Sequence, residues 1–416
     1  MRHVSSTMIM FSLFFVMFAC SKDPTVVVLI ATPTPILTEV PEMTFSLKTS
    51  PTAIPTAIPT AIPELSASDY DGKGLSFLNQ GTYELAIDEF TKAINLAINP
   101  QENDPDTWKY YLHRGEAFLE FKLYIDAIND LDKSIELIPI NISSAEAHNL
   151  KGKSLYHLEE YDEAIDEYNK AIILDSNKAI YYKNKANALY KLGDYEDSVN
   201  ELNQSIELDF SDHETHALKG KIFILLNKYR EAISAYSQAI SYKPNSPEYF
   251  AERGNAIYLE GDPSTGISDF DKAIKLDPNY GMAYFYKANA YYTLNGFEMA
   301  INTYSKAIDV DPDSKNTYLY YWYKGRSEYT IWKDKAAIDS YTKSIESGDQ
   351  QYGIAYGPVY GDRARAYKSL HKYDLAFSDC KKYLDYFGGP SKRFSCSWQG
   401  DLIDANKTYT GTANRW

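Results

Sequence analysis

Three stretches of the chain can be written one beneath another: GKIFILLNKYREAISAYSQAISYKP (220–244), GNAIYLEGDPSTGISDFDKAIKLDP (254–278) and ANAYYTLNGFEMAINTYSKAIDVDP (288–312). Each opens on a small residue, and their first residues are 34 apart. Further small residues stand at Ala232 and Ala239, Gly266 and Ala273, and Ala300 and Ala307, with a bulky ring between each pair at Tyr236, Phe270 and Tyr304. Ile267, Phe270, Ala273 and Ile274 share one face at helical spacing. Asp262 before Pro263, and Ser246 before Pro247, read as N-caps with proline in the first turn. The unit is therefore two short helices, A and B, joined by a turn. Small residues at fixed points let the helices approach, and large ones fill the gap.

Outward from these stretches, the second small residue recurs as Ala86, Ala127, Ala164, Ser198, Ala232, Gly266, Ala300, Ala337 and Ala376. Successive spacings are 41, 37, 34, 34, 34, 34, 37 and 39 residues, so the unit is expected nine times. The pattern resembles the tetratricopeptide repeat family over residues 67 to about 387. That resemblance implies an all-α fold, a right-handed α-solenoid of about nine hairpins within residues 65–387, its concave face lined by the A helices. No hairpin can bury its apolar face alone, so the array is stabilised by stacking. The longer spacings predict loop insertions after units one, two, seven and eight. Glu328 breaks the pattern, because it takes a packing position that is apolar or aromatic in the other units. An unpaired buried carboxylate is costly, so either that hairpin is distorted or Glu328 is paired with a cation.

The flanks read differently. Arg2 and His3 precede an apolar run from Met8 to Phe18, followed by Ala19 and Cys20. This is the order of an export signal over residues 1–19. The run is too short to cross a bilayer, which needs roughly 20 apolar residues. Cys20 after Ala19 resembles the lipobox of bacterial lipoproteins, although Met17 and Phe18 depart from its usual residues. The resemblance implies acylation of Cys20, with chains such as palmitate, and anchoring of the exported protein to a membrane of the bacterial cell envelope. Several acyl chains anchor stably where one is marginal. Residues 20–64 read as a tether, since residues 52–63 are three copies of Thr-Ala-Ile-Pro. Each proline fixes φ and removes a donor. At about 3.1 Å per residue, such a tether reaches on the order of 100 Å. Residues 388–416 are not a repeat, and Trp398, Leu402 and Ile403 are expected to cap the open end of unit nine. Cys380 sits at a packing position and Cys396 in this tail; in an exported protein they could form a disulfide.

Acidic residues outnumber basic ones, 57 to 42, for a formal charge of −15. That balance argues against a nucleic-acid binder, which faces phosphates with positive charge. There is no phosphate-cradling glycine loop, no Gly-x-Ser-x-Gly and no Cys-x-x-Cys. His213 and His216 lie three apart on a helix A, but His216 takes a packing position and no third ligand accompanies them. No cofactor, metal or catalytic residue is expected, and the protein is read as not an enzyme. A basic residue precedes the opening small residue of every unit: Lys73, Arg114, Lys151, Lys185, Lys219, Arg253, Lys287, Lys324 and Arg363. Six of these have an acid sixteen residues later, namely Glu89, Asp130, Glu167, Glu201, Asp269 and Asp379. Opposite charges at matching points of two packed helices read as ion pairs within the hairpin rather than as a ligand stripe.

In the family that the repeats resemble, ligand contact is made by inward A-helix positions two, five, nine and twelve. Position nine supplies Asn187, Asn255, Asn289 and Arg326; position twelve supplies Tyr258, Tyr292 and Tyr329; position five supplies Phe285 and Trp322. Asparagines donate and accept, which suits the backbone of an extended peptide. Tyr, Trp and Arg are typical anchors, and a local basic groove favours an acidic segment or a C-terminal carboxylate. The dicarboxylate clamp of chaperone-binding members needs Lys at five and Asn at nine of one unit, then Asn at six of the next. Lys183 and Asn187 meet the first two requirements and Leu218 fails the third. The expected function is a membrane-anchored, non-catalytic scaffold that binds a protein or extended peptide. The narrower alternative is an assembly factor for an envelope machine, such as a pilus secretin or an outer-membrane complex. On this reading the full chain made in bacteria incorporates labelled palmitate and fractionates with membranes. Cys20→Ser abolishes both, and labelling that survives the substitution rejects the lipobox.

Overall fold

The computed structural model describes residues 65–98, 104–139, 144–352 and 357–386. The expected signal, Cys20, the tether and the tail lie outside these residues. Every described element is a helix or a connection between helices. Unit one is α1 (Ala67–Asn79) with α2 (Tyr83–Ala97), unit two α3 (Thr107–Glu120) with α4 (Tyr124–Leu137), and unit three α5 (Ala145–His157) with α6 (Tyr161–Leu174). Unit four is α7 (Ala179–Leu192) with α8 (Tyr195–Leu208), unit five α9 (His213–Leu225) with α10 (Tyr229–Tyr242), and unit six α11 (Pro247–Glu260) with α12 (Pro263–Leu276). Unit seven is α13 (Gly281–Thr293) with α14 (Phe297–Val310), unit eight α15 (Thr317–Thr330) with α16 (Asp334–Tyr352), and unit nine α17 (Gly357–Ser369) with α18 (Tyr373–Tyr386). Each B helix packs on its own A helix and on the next one. The result is the right-handed α-solenoid expected from the repeat.

Close approach of A and B makes each hairpin. Ala86, Ala127, Ala164, Ser198, Ala232, Ala300, Ala337 and Ala376 are all fully buried. Four residues on, Phe90, Leu131, Tyr168, Leu202, Tyr236, Phe270, Tyr304 and Tyr341 are buried as well, and in units with glycine at the facing point of helix A this large side chain lies against that glycine. A Cβ at Gly152 would sit 2.6 Å from the Tyr168 ring. In unit six both helices give way: a Cβ at Gly254 would meet the Gly266 carbonyl oxygen at 3.0 Å, and one at Gly266 would meet the Gly254 oxygen at 2.9 Å. Where serine takes a small position, its hydroxyl is spent on the facing backbone. Ser198 Oγ donates to the Ala186 carbonyl at 2.7 Å, and Ser134 Oγ to Trp108 at 2.9 Å.

The caps follow the sequence. Ser246 accepts from the Tyr249 amide and Asp262 from the Thr265 amide, each with proline in the first turn. All nine A–B turns pass through a left-handed residue: Gly81, Lys122, Glu159, Gly193, Asn227, Gly261, Asn295, Trp332 and His371. Only three are glycine, which is why composition alone does not mark every turn.

Five of the six expected ion pairs form. Arg114 binds Asp130 through two N–H groups at 2.6 and 2.9 Å, Arg253 binds Asp269 at 2.7 and 2.8 Å, and Arg363 binds Asp379 at 2.7 and 2.9 Å. Lys185 reaches Glu201 at 2.7 Å and Lys151 reaches Glu167 at 3.5 Å. The same basic residues also point backwards. The third arm of each arginine donates to a hydroxyl on the preceding B helix: Thr91 at 3.0 Å, Ser237 at 3.2 Å and Thr342 at 2.9 Å. Lys151 and Lys287 reach Asp132 and Asp271, both at 2.6 Å. All five targets stand five residues after the small residue of their B helix, so the stripe ties five pairs of units together as well as closing five hairpins. Unit one, with no preceding B helix, has neither contact. There Lys73 lies over the Tyr70 ring at 5.4 Å, and Glu89 pairs instead with Lys92 at 2.6 Å.

One expectation needs correcting, and of the two alternatives for Glu328 the pairing with a cation holds. The longer spacing after unit eight is not simply a loop, because α16 runs for 19 residues and carries the chain through Ser347 to Tyr352 as helix. The hairpin around Glu328 is not broken open either. Glu328 is buried, accepts from Ser340 Oγ at 2.7 Å and lies 3.9 Å from Lys324. Ser340 occupies the register where other units place their acid, so the carboxylate has moved from helix B to helix A. Burial raises its pKa, and these partners offset that only in part. Cys380 takes the large-residue position in unit nine and is disulfide-bonded; the other two cysteines of the chain, Cys20 and Cys396, lie outside the described residues.

Burial pushes the Glu167 carboxyl up, but hydrogen bonds from His148 at 2.6 Å and Lys170 at 2.8 Å, with the charge of Lys151, outweigh it and hold the pKa at about 2. A carboxyl depressed from its ordinary 4.5 stabilises the fold above that pH and loses its effect as the pH falls through the native value. Glu167 accordingly contributes about 3 kcal/mol at neutral pH. Thermal melts of the full chain should lose stability as the pH falls from 4.5 towards 2, and that loss should be smaller in Glu167→Gln.

Candidate peptide groove

The A helices meet side by side, and their contacts show which inward residues are committed to the array. Position five of one unit repeatedly bonds position six of the next. Asp71 meets His113 at 2.8 Å, Asn184 donates to Asn149 at 2.8 Å, and the Trp322 indole N–H donates to Asp362 at 2.7 Å. A second ladder runs along position twelve. Thr293 and Thr330 spend their hydroxyl protons on the carbonyls of Asn289 and Arg326, at 3.1 and 2.8 Å. Tyr258 and Tyr292 must therefore be the donors in their contacts with these threonines, at 3.0 and 3.4 Å.

The expected asparagines are half-engaged. Asn187 Nδ2 turns back to the Lys183 carbonyl at 2.9 Å, Asn255 bonds the Glu252 carboxyl, and Asn289 Oδ1 accepts from the buried Tyr304 hydroxyl. Each has one end committed to its own array. Phe285 does not line an open groove. It is 7% exposed and packs among Tyr286, Tyr304, Tyr320 and Tyr323, with centroids 5.4 to 6.0 Å away. The reason is the rings of α15, which roof this position of α13. Tyr329 is half-buried against the cluster of Tyr341, Val359 and Tyr360.

Around Arg326 the expected residues do converge. Its guanidinium carbon lies 5.9 Å from the Tyr292 ring, 5.8 Å from Trp322 and 5.3 Å from Tyr323. Trp322 and Tyr323 meet edge to face at 5.1 Å. Burial opposes the arginine's charge, yet the field of Asp362 and the phenols more than offsets it, so the cation is held firmly charged. Arg326 makes no ion pair among the described residues. Asp362 already accepts from Trp322 and from Arg365 Nη1 at 2.9 Å, so Arg326, Arg365 and Asp362 together leave one net positive charge. Tyr323 and Asp362 were missed in the sequence. The available signal was complementarity between position five of one unit and position six of the next.

Lys183 is committed elsewhere: its ammonium lies 2.9 Å from Asp212 and 2.7 Å from Glu214. Two carboxylates of the same chain thus fill the place where a dicarboxylate clamp would begin. His213 and His216 do not converge, since one meets the Tyr249 hydroxyl at 2.8 Å and the other the Phe210 carbonyl at 2.9 Å.

A family profile described as TPR repeat matches residues 152–193 and 220–261, and one described as tetratricopeptide repeat matches 179–212 and 283–314. These segments are tetratricopeptide repeats. The units outside them repeat the same hairpin. Heat shock protein STI1 of Saccharomyces cerevisiae is 34% identical over 116 residues, which is 28% of this chain and 18% of that protein. The match therefore spans less than a fifth of the relative's length. Among solved structures, a tetratricopeptide repeat protein from Parabacteroides merdae is similar with a TM-score of 0.50 and 15% identity, over 62% of this chain and 98% of that one. YrrB, described as a TPR protein with an unusual peptide-binding site, is similar with a TM-score of 0.39 and 22% identity, over 44% of this chain and 93% of that one. The likeness to the P. merdae protein shows the tetratricopeptide fold, while the site rests on the residues above.

If Asp362 fixes the indole of this tetratricopeptide groove, Asp362→Ala should raise acrylamide quenching of tryptophan fluorescence. The same substitution in a Trp322→Phe background should leave quenching unchanged.

Proposed function

We propose that this protein is a non-catalytic tetratricopeptide scaffold, carried on the bacterial envelope by lipid on Cys20, that binds an extended segment of another protein along the A helices of units four to nine. The observation that carries this reading is Arg326. A charged guanidinium is steadied by three aromatic rings, while its ion-pairing capacity is unused among the described residues. A stability role alone would pair it, as Arg114, Arg253 and Arg363 are paired. The complementary ligand group is a carboxylate, from an acidic side chain or a chain terminus, because planar two-point pairing favours arginine. The Tyr258 and Tyr292 rings, and the uncommitted ends of Asn187, Asn255 and Asn289, extend the contact along the backbone of such a segment. Tyr329 and Phe285 support the wall from behind. The bulk of the acidic protein repels a negatively charged segment elsewhere, which favours docking in this register.

Affinity capture from detergent-solubilised envelope, with the full chain as bait, tests the reading. A parallel bait carries Tyr292→Ala, Trp322→Ala and Arg326→Ala, and a third carries Arg326→Gln alone. A protein retained by the first bait should be lost by the second and weakened about tenfold by the third, with all three baits equally helical by circular dichroism. Equal capture by all three rejects the groove.

A further inference from the structure

The eight junctions between units are not alike. α8 and α9 share the smallest face of any consecutive pair of units, and α7 and α9 touch less than any other two successive A helices. The backward tie that joins five of the eight pairs of units is missing here, as it is at α6–α7 and α14–α15. Lys219 stands in the register of Arg114, Lys151, Arg253, Lys287 and Arg363, but the preceding B helix offers Asn203 and its own B helix offers Ala235 in place of an acid. Lys219 lies over the Phe223 ring at 5.8 Å, makes no ion pair among the described residues, and burial lowers its pKa. The bond between positions five and six, present at three junctions, is also missing here, because position six of unit five is Leu218. What crosses the junction is an apolar cluster in which Ile222, with the partly buried Leu218 and Leu226, packs with Ala186, Leu202 and Val199, together with Lys221 over the Tyr190 ring at 5.1 Å and Lys183 between Asp212 and Glu214.

We propose that the α8–α9 boundary is a hinge, and that Lys183, bridging Asp212 and Glu214, is the latch that holds it closed on the A-helix side. The latch is well placed for that task. Lys183 is 17% exposed, so solvent screens it far less than a surface lysine. Asp212 is also the N-cap of α9, accepting from the amides of Glu214 and Thr215. A pull on Lys183 is therefore transmitted to the first turn of the helix. One ion triad on one side of a small apolar face closes an angle without fixing the two arms into one body. Hinge motion concentrates where few interactions must be exchanged.

The test uses the full chain with nitroxide labels clicked onto unnatural residues, read by pulsed electron–electron distance measurement. Labels at 166 and 234 span the boundary. Labels at 234 and 302 span the same number of repeats further along, and all three positions are exposed and share one register. Lys183→Met should widen the 166–234 distance distribution and leave 234–302 unchanged, high salt should do the same to the unsubstituted protein, and Lys183→Arg should restore the narrow distribution. Widening of both pairs would show general loosening and overturn the hinge. An unchanged 166–234 distribution in Lys183→Met, with helicity intact, would overturn the latch.

Discussion

Contact between helix A and helix B at a small residue is the constraint from which the array follows. Gly254 and Gly266 approach so closely that neither position has room for a methyl group. With the backbones that near, a ring four residues on has only one place to go, and it closes the hairpin. The same closeness brings the basic residue of helix A within reach of its acid on helix B. Packing thus sets the register and charge reads it out, since two carboxylate oxygens can meet an arginine's fork at one relative height only. Stacking repeats the argument between units, where the third arm of the arginine finds a hydroxyl on the helix before it.

The groove is made from what this scaffolding leaves over. Its rows of tyrosine and asparagine are ambiguous residues, equally suited to ligand and to neighbour, and in the folded array much of their capacity goes to the neighbour. Arg326 differs in kind. Its rings hold it in place without satisfying its hydrogen bonds, which separates positioning from pairing. Asp362 serves the same end at one remove, fixing Trp322 and Arg365 while lending its field to Arg326.

Periodicity was legible in the sequence because each unit must repeat the same contact. Nine hairpins, their caps at Ser246 and Asp262, and most of the hairpin ion pairs could be read that way. What depended on one unit meeting the next was harder. The backward ties to Thr91, Ser237 and Thr342 lie 23, 16 and 21 residues from their arginines, a scatter that hides a constant register. Phe285 looked like groove because its position number is right; only the rings on α15 put it inside. The extra residues after unit eight looked like loop because spacing counts residues without saying whether they stay helical.

Trp332 shows what the hairpin does not require. It occupies the left-handed turn of unit eight at φ 62° and is 82% exposed, where five of the other eight units place glycine or asparagine. A bulky side chain in that conformation costs on the order of 1 kcal/mol, and the indole returns nothing to the core. A laboratory selection for heat resistance alone would replace this residue early, with glycine as the natural winner. A sequence that keeps tryptophan there is answering to something besides the melting temperature of the fold.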